Sequence, residues 1–86
     1  MSLIAGGLIS DGFRLSSPMA GIQIQLGRNV ARLRKEAGLS QEAFADHAGL
    51  ARSYVSDIER GARNPTIEIV GRLAKALKVK PGQLLD

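Results

Sequence analysis

The sequence predicts an all-α fold, a bundle of five short helices. Two observations predict it. From Ile22 onward apolar residues recur at three- and four-residue spacings, and no useful length of chain alternates with period two. Glycines, capping hydroxyls and a late proline interrupt that pattern at intervals suited to short helices.

Each element has its own justification. Leu26, Val30, Leu33 and Ala37 form one stripe of a first helix, which Gly38 ends because glycine tolerates positive φ. Ser40 caps a second helix, with Glu42 in its first turn and Phe44, Ala45 and Ala48 inward. Gly49 breaks it. A third helix runs from Arg52 to about Arg60, with Val55 and Ile58 inward, and Gly61 stops it. Thr66 caps a fourth, whose stripe is Ile67, Val70, Leu73, Ala74 and Leu77. Pro81 suits the first turn of a short last helix carrying Leu84 and Leu85.

The whole is one domain spanning residues 22–86, since 86 residues leave no room for a second core. Residues 1–21 hold four glycines, a proline and no sustained period, and are expected to form a flexible arm. The run Leu3 to Ile9 is too short to span a bilayer, and no Lys or Arg precedes Arg14 to start a secretory signal. A cytoplasmic protein without membrane contact is therefore expected.

Composition narrows function. The absence of cysteine excludes disulfides and thiolate metal sites, and a lone histidine, His47, makes neither a metal site nor a catalytic relay. Gly6–Gly7 is no phosphate cradle, so no enzyme, cofactor or small-molecule substrate is expected. Twelve Lys and Arg against eight Asp and Glu give +4, which favours an anionic partner. Aromatics at 3% disfavour a stacking surface for single strands.

The stretch at about 40–60 carries the sharpest pattern. Counting from Gln41, Ala45 is fifth, Gly49 ninth, Val55 fifteenth and Ile58 eighteenth. A small fifth residue lets two helices approach, glycine at the ninth turns the chain tightly, and the β-branched pair anchors the second helix. This is the spacing of a helix-turn-helix. An αα-hairpin in an unrelated bundle would also accommodate it, but here four positions match together in a basic chain.

"LSQEAFADHAGLARSYVSDIERGARNPT" resembles the Cro and phage-repressor type, the XRE-like family of bacterial and phage regulators. The resemblance covers residues 22–86 and rests on Ser40–Gln41, Phe44–Ala45, Gly49, "IERG" at 58–61 and "RNPT" at 63–66. It implies a lambda-repressor-like domain whose third helix enters the major groove of double-stranded DNA, usually as a homodimer on a two-fold operator. "ARSYVSDIERGARN" is also similar to controller proteins of restriction–modification systems, through Arg52, Tyr54 and Arg63–Asn64. Ala51 departs from the pattern, because Ser, Thr or Asp often caps the recognition helix there.

Roles follow residue by residue. Arg52 and Ser53 open the recognition helix, where side chains meet base edges. Asp57, one turn on, is expected to accept from a cytosine amino group or to orient Arg52. The resemblance suggests that Tyr54 touches the backbone or a thymine methyl, beside a packing role. Gln41 sits where the family holds a phosphate, at a helix N-terminus. Arg60, Arg63 and Asn64 are expected to touch phosphates around the following loop, with Arg28 a further candidate and Arg32 another. The resemblance also implies a partly buried ion pair between Arg34 and Glu59. Val79, Leu84 and Leu85 are expected to have few partners of their own in so small a domain and to form a dimer contact. An antitoxin or interaction module of the same fold, binding a partner protein as well, is the alternative.

Overall fold

The computed structural model describes residues 18–86, which form five helices: α1 (Pro18–Glu36), α2 (Gln41–Ala48), α3 (Arg52–Glu59), α4 (Ile67–Leu77) and α5 (Pro81–Leu85). Residues 1–17, most of the expected arm, lie outside the described residues. α1 starts at Pro18, four residues before the expected Ile22. Proline suits a first helical turn, and one interior glycine such as Gly21 costs only about 0.5–1 kcal/mol relative to alanine.

Local chemistry sets the helix ends. Ser40 Oγ accepts from the Ala43 N–H at 3.0 Å and Thr66 Oγ1 from the Ile69 N–H at 3.3 Å. Gly49 closes α2 at φ 70°, a left-handed conformation that glycine adopts without steric cost. Lys78 does the same for α4 at φ 60°, where a side chain is less comfortable. The Lys80 N–H donates to Gln83 Oε1 at 2.8 Å, bracing the first turn of α5.

Every helix contributes to one core. Leu26 and Val30 of α1 meet Phe44 and Ala45 of α2, Val55 and Ile58 of α3, Leu73, Ala74 and Leu77 of α4, and Leu84 of α5. Gly27 determines how α1 crosses α3. A Cβ placed there would lie 2.4 Å from the Ile58 carbonyl oxygen and 2.8 Å from that of Glu59, so only glycine permits the approach. α5 is tied back to α1 by Asn29 Nδ2, which donates to the Leu84 carbonyl at 2.8 Å, and by Gln25, which donates to the Asp86 carbonyl.

Three expectations about packing are corrected. Leu84, expected with Val79 to await a partner subunit, is fully buried and Val79 packs partly buried against the core, because α5 folds against both α1 and α4. Ile67, expected in the stripe of α4, is 90% exposed, since burial along that helix begins only at Ile69 and Val70. Ala37, expected in the stripe of α1, is exposed beyond the last helical residue, Glu36.

Candidate nucleic-acid interface

The sharp turn between α2 and α3 rests on Gly49 and on the Leu50 N–H, which donates to the Ala45 carbonyl at 2.8 Å. α3 then begins without a side-chain cap, as Ala51 predicts. Its anchor is Val55 and Ile58, both almost fully buried. On a helical repeat of about 3.6 residues, Ser53, Ser56, Asp57 and Arg60 fall on the side away from that anchor.

One polar network holds this helix pair on the rest of the molecule. Arg34, a buried charged residue of α1, donates from Nε to Glu59 Oε2 at 2.6 Å and from Nη2 to Glu59 Oε1 at 3.1 Å. Its Nη1 reaches the Leu39 carbonyl at 2.8 Å, and Gln41 Nε2 donates to Glu59 Oε1 at 3.0 Å. The end of α1, the loop after it, the start of α2 and the end of α3 thus share one ion pair. Gln41, expected at a phosphate, carries a structural bond that its position in sequence does not reveal. The fork geometry of arginine makes two hydrogen bonds to one carboxylate while leaving a donor for the loop.

The outer surface mixes the exposed Arg52, Arg60 and Arg63 with the exposed Glu42 and Asp46 and the half-buried Asp57. Arg52 and Ser53 are exposed, and Arg52 makes no hydrogen bond or ion pair among the described residues. It edges a shallow groove lined also by Ser40, Glu42, Asp46 and Leu50. Asp57 does not orient Arg52. Its Oδ1 accepts from Arg60 and its Oδ2 from Arg63 Nε at 3.2 Å. Tyr54 has the packing role expected of it, against the core, and its ring also lies 5.1 Å below the Arg63 guanidinium carbon. Asn64 is exposed in the same loop and Arg28 on α1, while Arg32 pairs with Glu36 at 3.4 Å.

The structure therefore brings Tyr54, Asp57, Arg60 and Arg63 into one cluster and sets Arg52 and Ser53 at the other end of α3. The Asp57–Arg60 contact was open to inference from its i, i+3 spacing. The Asp57–Arg63 contact was not, because it depends on the reversal at Gly61, whose φ is 75°.

Comparison with known proteins matches residues 30–84 to the family model described as helix-turn-helix. The chain belongs to this family. Its XRE-type helix-turn-helix relatives include an uncharacterized transcriptional regulator, y4dJ, of Sinorhizobium fredii, 45% identical over 60 residues, which are 70% of this chain and 78% of that protein. The restriction–modification controller protein C.AhdI of Aeromonas hydrophila shares 42% identity over 72% of this chain and 94% of its own, with a TM-score of 0.70. The controller protein C.Esp1396I, solved as a tetramer with its natural 35 base-pair operator, shares 34% identity over 69% of this chain and 78% of its own, with a TM-score of 0.66. Among the described residues, no helix is long and apolar enough to cross a membrane.

Proposed function

We propose that this helix-turn-helix protein is a sequence-specific regulator of transcription that binds double-stranded DNA as a homodimer. The observation that carries this reading is the division of labour within α3: Val55, Ile58 and Glu59 hold the helix, while Arg52 and Ser53 are exposed at its start. Side chains at the start of the second helix of this motif meet base edges in the major groove. Arg52 and Ser53 are the proposed readers, with Tyr54 beside them. Asp57, bonded to Arg60 and Arg63 at the other end of α3, enters this proposal as their holder and not as a reader.

Arg60, Arg63, Asn64, Arg28 and the N-terminal end of α2 at Gln41 are the proposed phosphate contacts. The operator complex of C.Esp1396I supports DNA as the partner, and its assembly there as a tetramer supports association of subunits. The resemblance to controller proteins favours regulation of a small gene set by the protein's own concentration, in the cytoplasm of a bacterium. Leu85 and Ile22 are 48% and 49% exposed, on α5 and α1, near the point where Gln25 meets Asp86. They replace the buried Leu84 as the proposed apolar centre of the dimer contact.

Selection of bound duplexes from a random pool tests this directly. Two related half-sites about 34–36 Å apart centre to centre, bound by two subunits, are the expected result. A pool that shows no enrichment, or co-purification with a second small protein that accounts for all binding, would remove the reading in favour of an interaction module.

A further inference from the structure

Asp57 is sixth of the eight residues of α3 and so lies in its last turn. A carboxylate there faces the negative end of the helix dipole, so it does not serve to stabilise the helix. It serves two cations instead. The Asp57 side chain is 25% exposed, while those of Arg60 and Arg63 are 64% and 56% exposed, so the carboxylate sits beneath two outward guanidinium groups. The Tyr54 ring supports Arg63 from a second side. Each arginine gives Asp57 one donor nitrogen, Nη2 of Arg60 and Nε of Arg63, and keeps its other N–H groups for an outside acceptor.

We propose that Asp57 is a specificity-determining residue that holds Arg60 and Arg63 in one arrangement, fitted to phosphates only when α3 is seated on its matched duplex. This rests on the DNA-binding role proposed above. On the matched duplex both arginines bridge Asp57 and a phosphate together. On any other duplex the protein docks in varied registers, and the arginines must leave the carboxylate to follow the phosphates. Breaking those pairs exposes an acidic group to the phosphates and weakens non-specific binding selectively. Discrimination here comes from a penalty on the wrong complex as much as from contacts in the right one.

The test compares wild type, Asp57→Asn and Asp57→Glu on a duplex recovered by selection and on a scrambled duplex of the same composition. Asp57→Asn keeps the side-chain shape and removes the charge. It should bind the scrambled duplex roughly two- to tenfold more tightly, as expected for releasing two exposed ion pairs. Its ratio of selected to scrambled affinity should fall by a similar factor, with the preferred sequence unchanged. Asp57→Glu should restore most of the ratio and melt with wild type, while Asp57→Asn should lose no more stability than two exposed ion pairs supply. Equal weakening on both duplexes would show that Asp57 only supports the helix, and overturn the proposal. So would a changed preference at one base pair with scrambled affinity intact, which would make Asp57 a base reader. Wild-type binding with an unaltered Asp57→Asn ratio would remove this inference alone. Wild-type binding to neither duplex would remove the DNA-binding reading, and this inference with it.

Discussion

Arg34 on α1 and Glu59 on α3 are joined by two hydrogen bonds of 2.6 and 3.1 Å, with side-chain exposures of only 11% and 8%. The pair links helices 25 residues apart in sequence and takes in the Leu39 carbonyl and the Gln41 amide. Charges so deeply placed are costly to leave alone. Glu59→Leu or Arg34→Met should each destabilise by about 3–5 kcal/mol, because the remaining charge is buried unpaired. The double variant Arg34→Met/Glu59→Leu should lose far less than the sum of the two. Urea denaturation of the four proteins measures this coupling. Strict additivity would show that the pair is not a unit.

Gly27 and Gly71 make a matched pair of tests for helix packing. Gly27→Ala drives a methyl group into the backbone carbonyls of Ile58 and Glu59 and should cost about 1–3 kcal/mol or more. Gly71 lies within α4, and a Cβ there meets nothing within 4 Å. Gly71→Ala should stabilise by about 0.5–1 kcal/mol, the ordinary difference in helix propensity. Opposite signs in thermal denaturation are the expected outcome. A stable Gly27→Ala would mean that α1 and α3 do not cross so closely.

Arg63→Ala should flatten the plot of log affinity against log salt by about 0.9 per subunit, the contribution of one phosphate contact. The preferred sequence should not change. Fluorescence anisotropy across a salt series measures both. A shifted preference would place Arg63 at a base instead.

Arg52→Ala should lose about 1–3 kcal/mol of discrimination at a single guanine in each half-site, since the guanidinium fork matches O6 and N7 together. Melting temperature should barely move, because Arg52 is exposed and holds no described partner. Affinities on the selected duplex and on its variants at that base pair settle the matter. A uniform loss on every sequence would make Arg52 a phosphate contact, leaving Ser53 as the remaining proposed reader.

Much of the fold was legible because helical architecture is written in local terms. The spacing of Leu26 and Val30, the caps Ser40 and Thr66, and the turns at Gly38, Gly49 and Gly61 all act within a few residues of themselves. Those signals placed the five helices, and the spacing Ala45–Gly49–Val55–Ile58 placed the bihelical motif among them. The start of α1 escaped because Pro18 and Gly21 read as loop residues when no tertiary context is known.

By itself, then, the sequence determined the helices, their order and the motif that α2 and α3 form, since capping, periodicity and glycine torsions are properties of short segments. Only the tertiary structure decided which faces stayed outside. Leu84 and Ile67 are equally apolar, yet one is fully buried and the other 90% exposed, because α5 folds against α1 and α4 while the first turn of α4 remains uncovered. Asp57 carries a charge suited to reading a base or restraining a neighbour. The reversal at Gly61 brings Arg63 within 3.2 Å of that carboxylate, which also accepts from Arg60. Such pairings depend on where chain segments meet in space, and no local periodicity records that.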